Sequence, residues 1–220
     1  MVLHHSALRS RSTPYDARIQ CDREKDGPLC YRQMGWIETY LNEPAVKAAL
    51  GVNPQRNFKI SNMSVYRAFV WRGDWMHNTP LLLKEMINDG LRLLVYAGNA
   101  DMTCNYMGNE RWVEKLDTVF LDEFSTAPTE QWVTMHSGKM AGTVRSAGGA
   151  GSGAGNVTFV TIHEAGSGRF SLHKDHLPIL SRHMAPFDQP EAALDMITRW
   201  IMDIPLTFDI VDLATPAIPF

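Results

Sequence analysis

Two short segments of this 220-residue chain carry side chains that can move protons: Leu93-Leu94-Val95-Tyr96-Ala97-Gly98-Asn99-Ala100-Asp101 and His183-Met184-Ala185-Pro186-Phe187-Asp188. The first is an apolar run ending in a Gly-Asn-x-Asp turn, the pattern of a buried strand that delivers a carboxylate at its C-terminal end. The second sets a histidine in a proline-containing loop just ahead of a helix. An imidazole steadied by a carboxylate is a general base: it takes a proton from a hydroxyl and later returns it to the leaving group, while the acid fixes the tautomer. Such a pair needs a nucleophile. The serine elbow Gly-x-Ser-x-Gly occurs nowhere in the sequence, so the expectation is an acid and a base without their nucleophile.

The elements that must position these residues read as α and β in alternation. Trp36, Ile37, Tyr40 and Leu41, then Val46, Ala49 and Leu50 up to Gly51, predict two short helices broken at Asn42-Glu43-Pro44. Ser64 to Trp71, Thr79 to Asn88 and Asn109 to Leu116 read as helices, and Leu91 to Ala97 as the buried strand. Val157 to Ile162 is a strand by its β-branched and aromatic content. Ahead of it, Ala147 to Gly155 consists only of Gly, Ala and Ser, a turn. Glu191 to Met202 is the closing helix, entered through Asp188-Gln189-Pro190. Strands separated by helices predict an α/β architecture.

A net charge of -3, with 20% charged and 45% hydrophobic residues, is that of an ordinary globular protein and argues against nucleic acid as a partner. No run is long enough to span a bilayer, and the first residues lack the basic and apolar regions of a signal peptide. Cys21 and Cys30 flank an Asp-Gly-Pro loop that they could close, and Cys104 is left over. Asn62-Met63-Ser64 and Asn156-Val157-Thr158 are glycosylation triplets for a chain that enters a secretory pathway. His173-Lys174-Asp175-His176 and His163-Glu164 lack the further ligands of a metal site, so neither a metal nor a cofactor is expected.

Taken in order, Tyr40-Leu41-Asn42-x-x-x-Val46-x-x-Ala49, Gly73-Asp74-Trp75-Met76, Val95-Tyr96-Ala97-Gly98-x-x-Asp101-x-x-Cys104-Asn105, Ala141-Gly142 and His183-Met184-x-Pro186-x-Asp188-x-Pro190 closely resemble the C-terminal half of serine carboxypeptidases, especially fungal ones. The resemblance implies the C-terminal portion of an α/β-hydrolase fold, with an incomplete parallel or mixed sheet and flanking helices. It spans residues 14–205, between an irregular tail at 1–13 and a second tail at 206–220. By the same resemblance Asp101 and His183 are the acid and base of the triad. Trp75, Thr103 and Cys104 line the pocket for the side chain before the scissile bond, and Tyr31, Met34 and Met184 approach the departing residue. Peptide C-termini are the implied substrate, and a secreted or vacuolar compartment the implied setting, in which Cys21 and Cys30 are bonded and Asn62 and Asn156 are acceptors. Without the resemblance, Asp101 reads as a turn or helix-cap residue. The context Gly-x-x-Asp-x-x-Cys-Asn makes it an acid.

The sequence departs from the family pattern in two places. Ala165-Gly166 and His183-Met184, adjacent in the family, are separated by Ser167 to Arg182, read as translated intron or another gene-model error in preference to a lid or regulatory insert. Thr13-Pro14-Tyr15-Asp16-Ala17-Arg18 resembles an interior family segment, so the start reads as that of a truncated gene, a mis-called start or a cloned fragment. The expected function is therefore a serine-type carboxypeptidase homologue, inactive as an isolated chain. Two alternatives stand beside it. One is a non-catalytic peptide-binding remnant; the other is a subunit active only with a separate N-terminal chain.

Overall fold

The computed structural model describes residues 12–13, 16–20, 22, 24, 32–149, 153–163 and 185–207. Tyr31, Cys21, Cys30, His183, Met184 and the insert 167–182 lie outside the described residues, as does most of each expected tail. The chain divides into two compact units, 1–13 with 19–79 and 14–18 with 80–220. Strand β1 (Ser12–Thr13) lies in the tail expected to be irregular, and β2 (Asp16–Gln20) lies just beyond it.

In the first unit, α1 (Arg32–Asn42) and α2 (Pro44–Ala49) form the expected helix pair. Proline starts α2 without cost because the first turn has no use for its missing N–H. Helix α3 (Met63–Arg72) begins where the Asn62 side chain accepts from the N–H groups of Ser64 and Val65. It stops at Gly73, whose φ of 74° supplies the left-handed terminus that a residue with a Cβ resists. A 3-10 turn, Asp74–Met76, follows.

The second unit is a mixed four-stranded sheet in the order β3-β6-β5-β4, with helices on both faces. Its strands are β3 (Leu93–Gly98), β4 (Glu130–Val133), β5 (Met140–Ala147) and β6 (Val157–Ile162). Strands β3 and β6 run parallel, from Leu93 beside Val157 to Gly98 beside Ile162. Strand β5 runs antiparallel to both β6 and β4. Every residue of β6 is buried, as its continuous apolar and β-branched run requires. Val157 and Phe159 pack with α4 (Leu83–Asn88), α5 (Tyr106–Val113) and α6 (Leu121–Thr126) through Ile87, Val113 and Phe124. Val160 and Ile162 pack on the opposite face against Ala185 of α7 (Ala185–Asp188) and Ala192 and Met196 of α8 (Pro190–Ile201).

Two expectations shift. Strand β3 is half-buried rather than buried, with Tyr96 44% exposed, because it lies at the end of the sheet order. Helix α5 starts at Tyr106, three residues ahead of the predicted Asn109, because the Asn105 side chain accepts from the Gly108 N–H and caps it there.

Candidate active-site turn

The parallel pair β3 and β6 ends with both chains side by side, where Asn99 N–H donates to the Ile162 carbonyl at 3.1 Å. The chain leaving β3 turns at once, with Asp101 N–H reaching back to the Gly98 carbonyl at 3.3 Å. Asp101 is buried, 6% exposed, and its Oδ1 accepts from the N–H groups of Thr103 at 2.8 Å and Cys104 at 2.9 Å. Two amide donors on one carboxylate oxygen hold the group in a single orientation at the C-terminal end of a parallel strand. That end of an α/β sheet is where ligands bind.

The turn is anchored from its far side. Asn109 Nδ2 donates to the carbonyls of Cys104 and Asn105, and its Oδ1 accepts from Trp112 Nε1 at 3.1 Å. Arg145 on β5 then ties α5 to the sheet, donating to Glu114 at 2.5 Å and pairing with Glu110 at 3.5 Å. Neither Asn109 nor Arg145 stands out in the sequence. The one available signal is the Glu110 and Glu114 pair, four residues apart on one helix face and in need of a cation.

Of the sequence-predicted residues, the fold brings Asp101, Thr103 and Cys104 together in one turn. Cys104 is an exposed free thiol, pushed above its ordinary pKa first by partial desolvation and then by the Asp101 carboxylate. Met34 is half-buried on α1, and Trp75 lies in the turn Asp74–Met76; both belong to the first unit. His183, Met184, Tyr31, Cys21 and Cys30 fall outside the described residues. Asn62 is exposed and caps α3, whereas Asn156 is half-buried where the chain enters β6.

A cavity of about 330 Å³ opens between α5 and the sheet, lined among others by Asn99, Tyr106, Glu110, Arg145 and His163. Asp101 does not line it. Among the described residues no cluster of three or more His, Cys, Asp or Glu could hold a metal ion, and no helix is long and apolar enough to cross a membrane.

The family model described as serine carboxypeptidase matches residues 4–203. Over 193 residues the chain is 33% identical to carboxypeptidase Y of Komagataella phaffii, covering 88% of this chain and 31% of that protein. It is 34% identical over 198 residues to carboxypeptidase Y homolog A of Sclerotinia sclerotiorum, covering 90% and 31%. The Neurospora crassa homolog A is 35% identical over 193 residues, covering 88% and 30%. The chain thus spans 31% of the length of the first two relatives.

Proposed function

From this chain's membership in the serine carboxypeptidase family, we propose that it carries the acid and the base of a serine-type carboxypeptidase, Asp101 and His183, acting on peptide C-termini. The observation that supports this most is the Asp101 turn: a buried carboxylate held by two backbone N–H groups at the end of a parallel strand. In this reading His183 takes the hydroxyl proton of a serine and returns it to the departing amino acid. Asp101 keeps the imidazole in the right tautomer and stabilises its cation.

The serine and the oxyanion donors come from polypeptide outside these 220 residues, because no Gly-x-Ser-x-Gly is present to supply them. The isolated chain is accordingly inactive. Thr103 and Cys104 border the substrate pocket in this reading; Trp75, Tyr31, Met34 and Met184 are the other positions that the family resemblance assigns to substrate binding. The family setting is secreted or vacuolar, and there a Cys21–Cys30 bond would contribute about 2–3 kcal/mol on the loop-entropy argument.

The test is a chimera in which this chain replaces the 193 matched residues of Komagataella phaffii carboxypeptidase Y. Release of the C-terminal residue from a blocked dipeptide is expected, rising when residues 167–182 are deleted and falling on the order of 10³–10⁴-fold in His183→Ala. A chimera that folds but does not hydrolyse in either form, or that hydrolyses equally well as His183→Ala, would refute the assignment.

A further inference from the structure

The sheet face beneath α5 changes character along its strands. Side chains two residues apart share a face. On this one lie Leu93, Val95 and Ala97 of β3 and Val157 and Phe159 of β6, all in the apolar cluster under α5 and α6. Continuing the alternation brings Thr161 and His163 after Phe159, and Asn99 after Ala97. Thr143 and Arg145 of β5 lie opposite Thr161 and Phe159. Apolar packing thus gives way to hydroxyl, amide, imidazole and guanidinium groups within one layer, and there the cavity of about 330 Å³ opens. Its volume is at the small end of the range that holds small molecules.

Tyr106 and Glu110, one turn apart on α5, line the cavity from the helix side. Arg145 donates from Nη1 to Glu114 at 2.5 Å and from Nε to the Thr129 hydroxyl at 3.3 Å. Glu110 has only the longer approach of Nη2, at 3.5 Å, and among the described residues its carboxylate accepts no hydrogen bond. Its side chain is 24% exposed, so most of the group is out of water, where a missing donor is costly. The hydroxyls of Tyr106, Thr143 and Thr161 also make no hydrogen bond among the described residues, although Thr161 is only 7% exposed. Two carboxylates around one guanidinium leave this end of the cavity negative. What would satisfy these groups is a cationic donor beside Glu110 and a second polar group at the threonines.

We propose that this cavity binds a small organic ammonium compound, its charged nitrogen donating to Glu110 and a hydroxyl or carbonyl on its body bonding to Thr143 and Thr161. The site uses neither the acid nor the base assigned above. A primary ammonium brings three donors and a single charge, which suits one carboxylate flanked by hydroxyls. Thr143 stands two residues from Arg145, about 7 Å along β5, so the two polar ends of the ligand are roughly six bonds apart. An anion is disfavoured by the negative balance at Glu110 and Glu114. A divalent cation, which takes six or more oxygen ligands, would meet one carboxylate, neutral hydroxyls and the Arg145 guanidinium beside them.

The isotope-labelled 220-residue chain is titrated with aminopentanol and followed by amide NMR. Pentanediol, pentylamine and hydroxypentanoate serve as matched probes, the first lacking the charge, the second the hydroxyl, and the third reversing the sign of the charge. Aminopentanol is expected to bind with a dissociation constant on the order of 1 mM, with shifts centred on Glu110, Thr143 and Thr161. Pentanediol and hydroxypentanoate should bind about tenfold or more weakly. Glu110→Gln should weaken aminopentanol and pentylamine alike by about tenfold or more, whereas Asp122→Asn, on the exposed side of α6, should change neither. Thr161→Val should weaken aminopentanol about fivefold and leave pentylamine as it was, a split that a general loss of structure would not produce. That split decides the matter should Glu110→Gln not fold. Shifts scattered outside the cavity, a diol that binds as well as the amine, or binding indifferent to both cavity variants would overturn the inference.

Discussion

The helices of the first unit and the sheet of the second are built on opposite principles. Among the described side chains of α1 to α3 and their connections, Lys47 alone is buried, and Trp36, Tyr40, Phe69 and Trp71 are all at least half exposed. The sheet carries two separate apolar clusters, with Trp132, Val160 and Ile162 fully enclosed. Local signals account for the helices: a proline at the start of α2, the Asn62 cap and the Gly73 stop of α3. Packing across distant sequence accounts for the sheet. A site that needs a carboxylate fixed to a fraction of an ångström is better placed on the second kind of structure, and that is where the Asp101 turn lies.

This contrast is sharpest in matched substitutions. Phe159→Ala, in the middle of β6, should cost about 3–5 kcal/mol, while Phe69→Ala on α3 should stay within about 0.5 kcal/mol. Urea unfolding followed by near-ultraviolet circular dichroism reads both; equal costs would mean that the first unit has a core of its own. Glycine to alanine should change sign between the units. A Cβ at Gly142 would overlap the Thr161 carbonyl on the neighbouring strand, for an expected loss of about 1–3 kcal/mol, whereas Gly35 in α1 has open space and should gain up to about 1 kcal/mol. A smaller effect is expected from acid. Glu191 accepts from Thr134 at 2.8 Å, and its carboxyl is held below its ordinary pKa chiefly by the hydroxyls of Ser137 and Thr134. A depressed acid contributes stability above its unfolded pKa and loses it as pH falls through the folded one. Unfolding of the sheet should therefore steepen below about pH 4.5, and Glu191→Gln should flatten that limb without altering the helical unit's melting.

The same contrast explains what was legible in the sequence. Val157 to Ile162 reads as a strand residue for residue, since burial on both faces leaves only β-branched and aromatic types and threonines. The hairpin of β4 and β5 does not, because Arg145 reaches Glu114, Thr143 lines the cavity and Gly142 is there for clearance rather than propensity. Helix α6, at six residues, is too short for its period to show. At the site, Asp101 is legible from its turn and its context. That β3 ends the described sheet order is not legible, because an apolar strand records that its edges seek partners but not which partners are at hand.

The central claim, that Asp101 and His183 work as one unit, is tested most directly by a double-mutant cycle in the Komagataella phaffii chimera. Values of kcat/KM are measured for Asp101→Asn, His183→Ala and the pair on one blocked dipeptide. The account predicts that the double variant loses no more than His183→Ala alone, since an acid that acts through an imidazole has nothing left to do once the imidazole is gone. Fully additive losses would contradict it.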